Sequence, residues 1–382
     1  MKKVYLDNAA TTQMRDEVIE KMTQVMKEFY GNPSSVHSYG RSSKSLIENA
    51  RKTVAGFLNV SASEIIFTSG GTEADNLVLN SAVRDLGVKR IITSRIEHHA
   101  VLYTLDHLKA CYGIEVVYVN LDKNGEVDLG HLEELLKASD EKTLVSLMHI
   151  NNEIGNLLDI KVVGEMCKSY NALFHSDTVQ SVGHYEMDLN EIPVDFTAAS
   201  AHKFHGPKGV GFAFVRKHSG LKPLIFGGEQ ERGHRAGTES VHNIIGLEIA
   251  LKLAYKNLQE EREHISSIKN YFIHQLEANI PGVKFNGTCK DPGKSTYTLI
   301  NVCLPVSREK ALLLLFQLDL KGIACSRGSA CQSGSDKGSH VLEAFLSEED
   351  LNKPSLRFSF SRFNTTQEID YVVTVLKEFL EN

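Results

Sequence analysis

Five short segments carry residue types whose spacing could support chemistry. Residues 69–76, SGGTEADN, follow an apolar run and open a helix-compatible stretch. Gly70 and Gly71 would let backbone amides approach an anion, Thr72 would add a hydroxyl, and the helix start would add a favourable dipole. The same residues also suit an ordinary capped strand-to-helix turn. In residues 200–211, SAHKFHGPKGVG, Lys203 follows the apolar run VDFTAA and lies between His202 and His205. A lysine at a strand end in mixed surroundings can have a lowered pKa and condense with a carbonyl. A surface lysine in a Gly-Pro turn fits the same letters. In residues 175–183, HSDTVQSVG, Asp177 could pair with a pyridinium nitrogen and Gln180 could reach a neighbouring ring oxygen. Asp177 would serve equally well as a helix cap. His98, in RIEHHAVL at the end of a β-run, could stack on a flat ring and shuttle a proton, or be structural. Residues 324–335, ACSRGSACQSGS, carry Cys331 on small neighbours, which suits a thiolate that has to travel. An inert thiol is one alternative. Half of a metal site shared with Cys325 is another, although five intervening residues is not a standard zinc spacing.

These segments must be positioned by the elements between them. Short β-rich runs occur at 64–68, 90–93, 115–119, 144–148, 172–176, 195–198 and 210–215. Helix-compatible stretches at 73–85, 98–111, 129–137 and 160–169 alternate with them. That alternation predicts an α/β layer with a mainly parallel, seven-stranded sheet. The glycine turn, His98, Asp177 with Gln180, and Lys203 then fall at successive strand ends, where open α/β sheets collect their ligands. Residues 16–29 and 51–57 read as earlier amphipathic helices. Residues 240–276 read as one long helix bridging to a second unit. There, 296–304, 322–325 and 355–360 read as strands and 309–318 and 367–380 as helices, a smaller α+β arrangement. The Gly- and Ser-rich segment 326–339 has no hydrophobic period and reads as a mobile loop. The division expected is a large cofactor-binding domain over 15–260 and a small domain formed by 1–14 and 261–382, with the catalytic loop at about 325–339.

Composition narrows the function classes. The chain has 382 residues, enough for two domains at roughly 150 each, with 42% hydrophobic and 24% charged residues. Those values exclude a disordered or collagen-like chain. With 42 basic and 48 acidic residues the net charge is −6, which argues against direct nucleic-acid binding and a polybasic membrane surface. The longest tight apolar run, 311–316, is far short of a bilayer span, and the start MKKVYLDNAATT has no apolar signal core. A cytoplasmic protein without membrane contact is expected. The six cysteines are scattered, with no Cys-x-x-Cys pair, so neither a disulfide framework nor a structural zinc site is expected. A phosphate cradle, a ring stacker, a ring-nitrogen partner and an amine together make the parts needed to hold pyridoxal phosphate.

Quoted in order, YLDNAATT, GNPSSVH, FTSGGTEADN, EHHAVL, MHINNEIG, HSDTVQSVG, HKFHGPKGVG, QERGHRAGT, GSACQSG and RFSFSRFNTTQEID run almost end to end. The chain resembles the cysteine desulfurases of the NifS/IscS type, within the fold-type I, class V aminotransferase-like pyridoxal-phosphate enzymes. The resemblance implies pyridoxal 5'-phosphate as cofactor and L-cysteine as substrate, with L-alanine and a Cys331 persulfide as products. Lys203 would hold the cofactor and move protons at the substrate α-carbon. Asp177 would pair with the ring nitrogen, Gln180 with the ring hydroxyl, and His98 would stack and act as acid/base. Gly71, Thr72, Ser200 and His202 would bind the phosphate. Thr238 would reach the phosphate of a partner subunit, which implies a homodimer. Asn152, beside the cofactor, and Arg357 would bind the substrate carboxylate.

The resemblance further implies transfer of sulfur to an iron–sulfur scaffold protein or a tRNA-thiolation acceptor. It implies no resident metal, with Cys331 at most a transient iron–sulfur ligand. Arg327 stands where many relatives have a small residue, and Glu229 interrupts a glycine run. Cys325 has no assigned role and is taken as structural. Two alternatives are a selenocysteine lyase or other lyase or aminotransferase of the same fold, and a non-catalytic scaffold using Cys325, Cys331 and His340.

Overall fold

The computed structural model describes residues 3–327 and 338–381. In chain order its elements are β1 (Val4–Tyr5), α1 (Asp16–Glu28), α2 (Ser38–Phe57), β2 (Ile65–Thr68), α3 (Gly71–Arg84), β3 (Arg90–Thr93), α4 (His99–Tyr112), β4 (Glu115–Tyr118), α5 (Leu129–Lys137), β5 (Thr143–Ser146), α6 (Ile160–Ser169), β6 (Leu173–Asp177), β7 (Phe196–Ser200), β8 (Gly211–Val215), α7 (Val241–Lys256), α8 (Leu258–Asn279), β9 (Lys284–Asn286), β10 (Leu299–Cys303), α9 (Arg308–Leu320), β11 (Ile323–Ala324), α10 (His340–Glu343), α11 (Glu348–Leu351), β12 (Ser355–Ser359) and α12 (Thr366–Glu381).

The large sheet has seven strands in the order β2-β8-β7-β6-β5-β3-β4. Five neighbouring strands, from β7 to β4, run parallel, and β8 is antiparallel to both β7 and β2. Both faces are covered, which is why most of these strands read as continuous apolar runs instead of alternating ones. On one face Phe174, Val145, Phe212 and Phe214 pack against Val18 of α1, Ile47 and Val54 of α2 and Leu247 of α7. On the other, Ile91, Leu144, Phe196 and Ala213 meet Leu77 and Val78 of α3 and Leu105 of α4. Burying a side chain of this kind is worth about 1.5–3 kcal/mol, so these two layers supply the main apolar stabilisation of the sheet.

A separate apolar cluster gathers Val4, Leu6, Ile265, Phe272, Ile300, Val302, Phe358 and Val372. Its centre is β10, flanked antiparallel by β9 and β12. The N-terminal strand β1 pairs in parallel with β11, Val4 opposite Ile323, so the two ends of the sequence meet in this cluster.

Two helices depart from the sequence reading. The stretch 240–276 is not one helix: it breaks at Asn257 into α7 and α8. The break lets α7 bury Ile244, Leu247 and Leu251 in the sheet-side core while α8 turns Ile265, Ile268 and Phe272 to the other cluster. A single straight helix could not serve both. Helix α2 begins at Ser38, well before residue 51. Its front half, SYGRSSKS, has no apolar stripe and starts where His37 Nδ1 accepts the Gly40 amide proton. Among the described residues, no helix is long and apolar enough to cross a membrane.

Candidate active site

The site is assembled at the carboxyl ends of adjacent strands. Strand β7 ends at Ser200, and the chain turns at once through a 3-10 turn, Ala201–Lys203. That turn is pinned to the N-terminal segment. The Thr12 amide and hydroxyl both donate to the His202 carbonyl at 2.9 and 2.8 Å, and the His205 amide donates to Thr12 Oγ1 at 2.8 Å. Lys203 Nζ consequently donates to the carbonyl oxygens of Ala9 and Ala10, at 2.5 and 3.0 Å. Gln180 Nε2 donates to the same Ala9 oxygen at 3.0 Å. The amine and the amide are thus anchored to one stretch of backbone, the NAATT segment, which the sequence reading singled out as a motif without a role.

Asp177 closes the neighbouring strand β6 and is 6% exposed. Burial pushes its carboxyl up to about 6, while the Val179 amide, which donates to Oδ1 at 2.9 Å, and the Lys203 ammonium pull it back. A carboxyl raised by burial in a dry site is poised to stand as a carboxylate when a cation arrives.

His98 precedes α4, and its Nδ1 accepts the Ala100 amide proton at 3.1 Å. With Nδ1 an acceptor, the neutral ring carries its proton on Nε2. Burial, then Lys203 and His340, lower its pKa to about 4, so the ring is neutral at ordinary pH. A neutral imidazole can stack on a ring and either give or take one proton without bringing a charge into the site.

The start of α3 has the make-up of an anion cradle. A Cβ on Gly71 would lie 2.5 Å from Val179 Cγ2, and one on Gly70 would lie 3.5 Å from Ser200 Oγ. At Gly71 the close approach of Val179 excludes a Cβ, and at Gly70 the φ of +154° beside the buried Ser200 favours glycine. The first amides of α3 have no acceptor within the helix, which is the ordinary basis of phosphate binding. Thr72 is exposed at the same turn. His202 contributes an imidazole whose Nδ1 is 3.1 Å from Thr11 Oγ1, and burial, with Lys203 and Lys208, lowers its pKa to about 4. Glycine amides, Ser200, Thr72, His202, an amine and a buried carboxyl form a donor set that fits pyridoxal phosphate, including its dianionic phosphate and basic ring nitrogen.

Arg357, on β12, is 1% exposed. Its Nη2 donates to Asp7 Oδ1 at 2.8 Å and its Nη1 to the Asn152 carbonyl at 2.9 Å, while Nε has no partner. The structure thus places the Asn152 backbone against the Arg357 guanidinium. It adds Asp7, which the sequence reading did not assign. Thr238 is exposed, in a segment tied to α3 by Arg235, whose Nε donates to Glu73 Oε1 at 2.9 Å. Cys331 and most of the segment 325–339 lie outside the described residues. Its flanks are described: Ser326 bridges to Arg357, and Ser339 caps α10. A cleft of about 580 Å³ lined by Glu97, His149 and Tyr185 is separate from the Lys203 carbonyl contacts and does not include Asp177.

The chain has known relatives. A family model for class-V aminotransferases matches residues 4–372, so the chain belongs to the class-V aminotransferase family. Over 382 residues it is 40% identical to the cysteine desulfurase IscS of Dictyoglomus turgidum, covering all of this chain and 95% of that protein. A solved NifS-like protein superposes with a TM-score of 0.89 at 37% identity, with both chains fully covered. Another, SspA in complex with cysteine, gives 0.82 at 30% identity, covering 95% of this chain and all of that one. Within its class, the chain is one of the cysteine desulfurases, enzymes that take sulfur from cysteine.

Proposed function

We propose that this enzyme uses pyridoxal 5'-phosphate, held by Lys203, to release the sulfur of L-cysteine to Cys331, leaving L-alanine. The observation that carries this reading is the placement of the Lys203 amine, the buried Asp177 carboxyl and the glycine-opened start of α3 at neighbouring strand ends. The solved relative in complex with cysteine supports the choice of substrate.

When bound, pyridoxal phosphate supplies an electron sink for charge developing at the substrate α-carbon. The chain's own groups do the rest. The first amides of α3, with Thr72, Ser200 and His202, hold the phosphate. Asp177 would keep a proton on the ring nitrogen, and Gln180 would serve the ring hydroxyl. Arg357, with Asn152 beside it, receives the substrate carboxylate. Lys203, as a neutral amine, takes the proton from the substrate α-carbon. His98 holds its proton on Nε2, ready for the departing skeleton or the substrate thiol. The Cys331 thiolate attacks the substrate sulfur: an S–S bond forms, the substrate Cβ–S bond breaks, and its electron pair stays with the carbon skeleton. Protonation of that skeleton gives alanine, and no external oxidant is required.

Cys331→Ser is the direct test. The variant is expected to bind cofactor and L-cysteine, and to change its visible spectrum on adding cysteine, yet to form no persulfide and release alanine at least about 100-fold more slowly. Normal persulfide formation in this variant would reject the thiol assignment.

We assign the large, cofactor-holding domain to 15–260 and the small domain to 1–14 and 261–382. We also infer a cytoplasmic homodimer that hands sulfur to an iron–sulfur scaffold or tRNA-thiolation protein. The described cysteines, all free thiols, are in keeping with a reducing compartment. Exposed Tyr30, Val36 and Tyr39, the two tyrosine rings 5.4 Å apart, form an apolar surface suited to a second copy. Light scattering of the holoenzyme should give twice the chain mass, and Tyr30→Glu with Tyr39→Glu should lower it. A monomeric wild type would end the dimer reading.

A further inference from the structure

Beneath Asp177 lies a buried acid–imidazole pair that the reaction above does not use. Side chains alternate along β6. Phe174 points to the α1, α2 and α7 side, whereas Leu173 packs on the α3–α4 side, so His175 and Asp177 face α3 with it. Ser146 is the register partner of His175 on β5, and its Oγ lies 2.9 Å from His175 Nδ1. Asp75, one turn into α3, brings Oδ1 to 3.4 Å from His175 Nε2. Asp75 and Ser146 are 1% exposed and His175 is 0% exposed.

Apart from that 3.4 Å contact, which is longer than an ordinary hydrogen bond, neither Asp75 Oδ1 nor His175 Nε2 has a hydrogen-bond partner. Two buried acceptors facing each other would be left unsatisfied, whereas one proton between them satisfies both. The surroundings decide where it resides. Asp177 from β6 and Glu97 from the segment before α4 are the carboxyls that face Asp75, Glu97 itself pushed up to about 8 by burial, and Lys203 is the cation acting on Asp177. Burial, then Asp177 and Glu97, push the Asp75 carboxyl well above the usual carboxylate range, and burial lowers His175 to about 3. All these effects favour an acid on Asp75 and a neutral imidazole.

We propose that Asp75 is a positioning residue for Asp177, standing as a neutral acid hydrogen-bonded to neutral His175. By keeping its proton it spares the ring-nitrogen carboxylate a second negative charge in the same dry space. The proposal rests on the cofactor reading of Asp177, but its first readout needs no cofactor.

The experiment compares thermal unfolding of cofactor-free wild type and Asp75→Asn from pH 5 to pH 8. An acid whose pKa is raised by folding loses stability as pH climbs above its unfolded value, about 4; an amide does not. Glu97 and Asp177 contribute the same sign of loss, but in both proteins. The expected result is a Tm advantage for Asp75→Asn that grows by about 2 °C or more over that range. Equal slopes overturn the proposal. So does an Asp75→Asn protein that loses stability at pH 8, the result of removing a carboxylate paired with a His175 imidazolium. Should Asp75→Asn fail to fold, Asp75→Ser, also neutral and smaller, is subjected to the same comparison.

Loaded with pyridoxal phosphate, Asp75→Asn should keep the pH midpoint of its visible absorbance within about half a unit of wild type. A larger shift means that a charge was removed beside Asp177 and overturns the proposal. A wild type that takes up no pyridoxal phosphate would instead end the cofactor reading, with the slope comparison still deciding the state of Asp75.

Discussion

Lys203→Ala is expected to remove the visible absorbance of the cofactor-loaded protein and to lower cysteine turnover by at least about 10³-fold. Two separate jobs depend on one amine. The first is covalent retention, which no other side chain on this turn can supply: the imidazoles of His202 and His205, held by Thr11 and by the Gln13 carbonyl, have no primary amine to condense with an aldehyde. The second is proton transfer at the substrate α-carbon, which needs a base within reach of that carbon. The fold should tolerate the change. Lys203 Nζ binds backbone carbonyls of Ala9 and Ala10, and the Ala9 carbonyl keeps its bond from Gln180. The turn itself is fixed by Thr12 through main-chain and hydroxyl bonds that do not involve the amine. Far-ultraviolet circular dichroism and Tm should therefore stay close to wild type. A small exogenous amine should restore part of the proton transfer without restoring retention. A variant that keeps both its colour and its turnover would show that Lys203 is not the tethering residue.

The sheet was legible in the sequence because its strands are short, apolar and regularly interrupted. β3 falls on residues 90–93 as read, and α5 and α6 match their expected bounds. Both helices announce themselves: Asp128 and Asp159 cap them, accepting amide protons from the first turn, just before an amphipathic stripe. The strand-end positions of Lys203 and Asp177 followed from the same alternation. What stayed hidden is what couples distant parts of the chain. The ion pair between Asp7 and Arg357 spans 350 residues and depends on β12 lying beside the N-terminal segment. Ala9 and Ala10 act through carbonyl oxygens, which any residue could offer, so no letter marks them. Asn152 meets Arg357 through its backbone as well. The break at Asn257 was concealed because the apolar period continues across it, and only the existence of two cores makes the turn necessary.

Asp177→Asn should separate the electrostatics of the site from its shape. The amide keeps the size of the carboxyl and can still accept from the Val179 amide, but it cannot stabilise a proton on a ring nitrogen. A neighbouring carboxylate raises the pKa of such a cation by about 1–3 units, so its loss should slow turnover by roughly 10- to 1,000-fold and weaken cofactor retention in the same direction. The cofactor-free protein should respond oppositely. Folding raises the Asp177 carboxyl from 3.8 to about 6, because burial outweighs the Val179 amide and Lys203. Stability from the protonated form is present below the unfolded value and is lost as pH rises through about 6. Asn removes that loss, so cofactor-free Asp177→Asn should be more stable than wild type at pH 8 and nearly equal to it at pH 4. The opposite signs follow from one cause: the dry pocket disfavours a lone carboxylate and accepts it when a cation arrives. Stability measured across pH, beside cofactor affinity at one pH, checks both halves. If Asp177→Asn lowered both quantities at pH 8, the carboxylate would be held by protein groups alone, and its assignment to the ring nitrogen would fail.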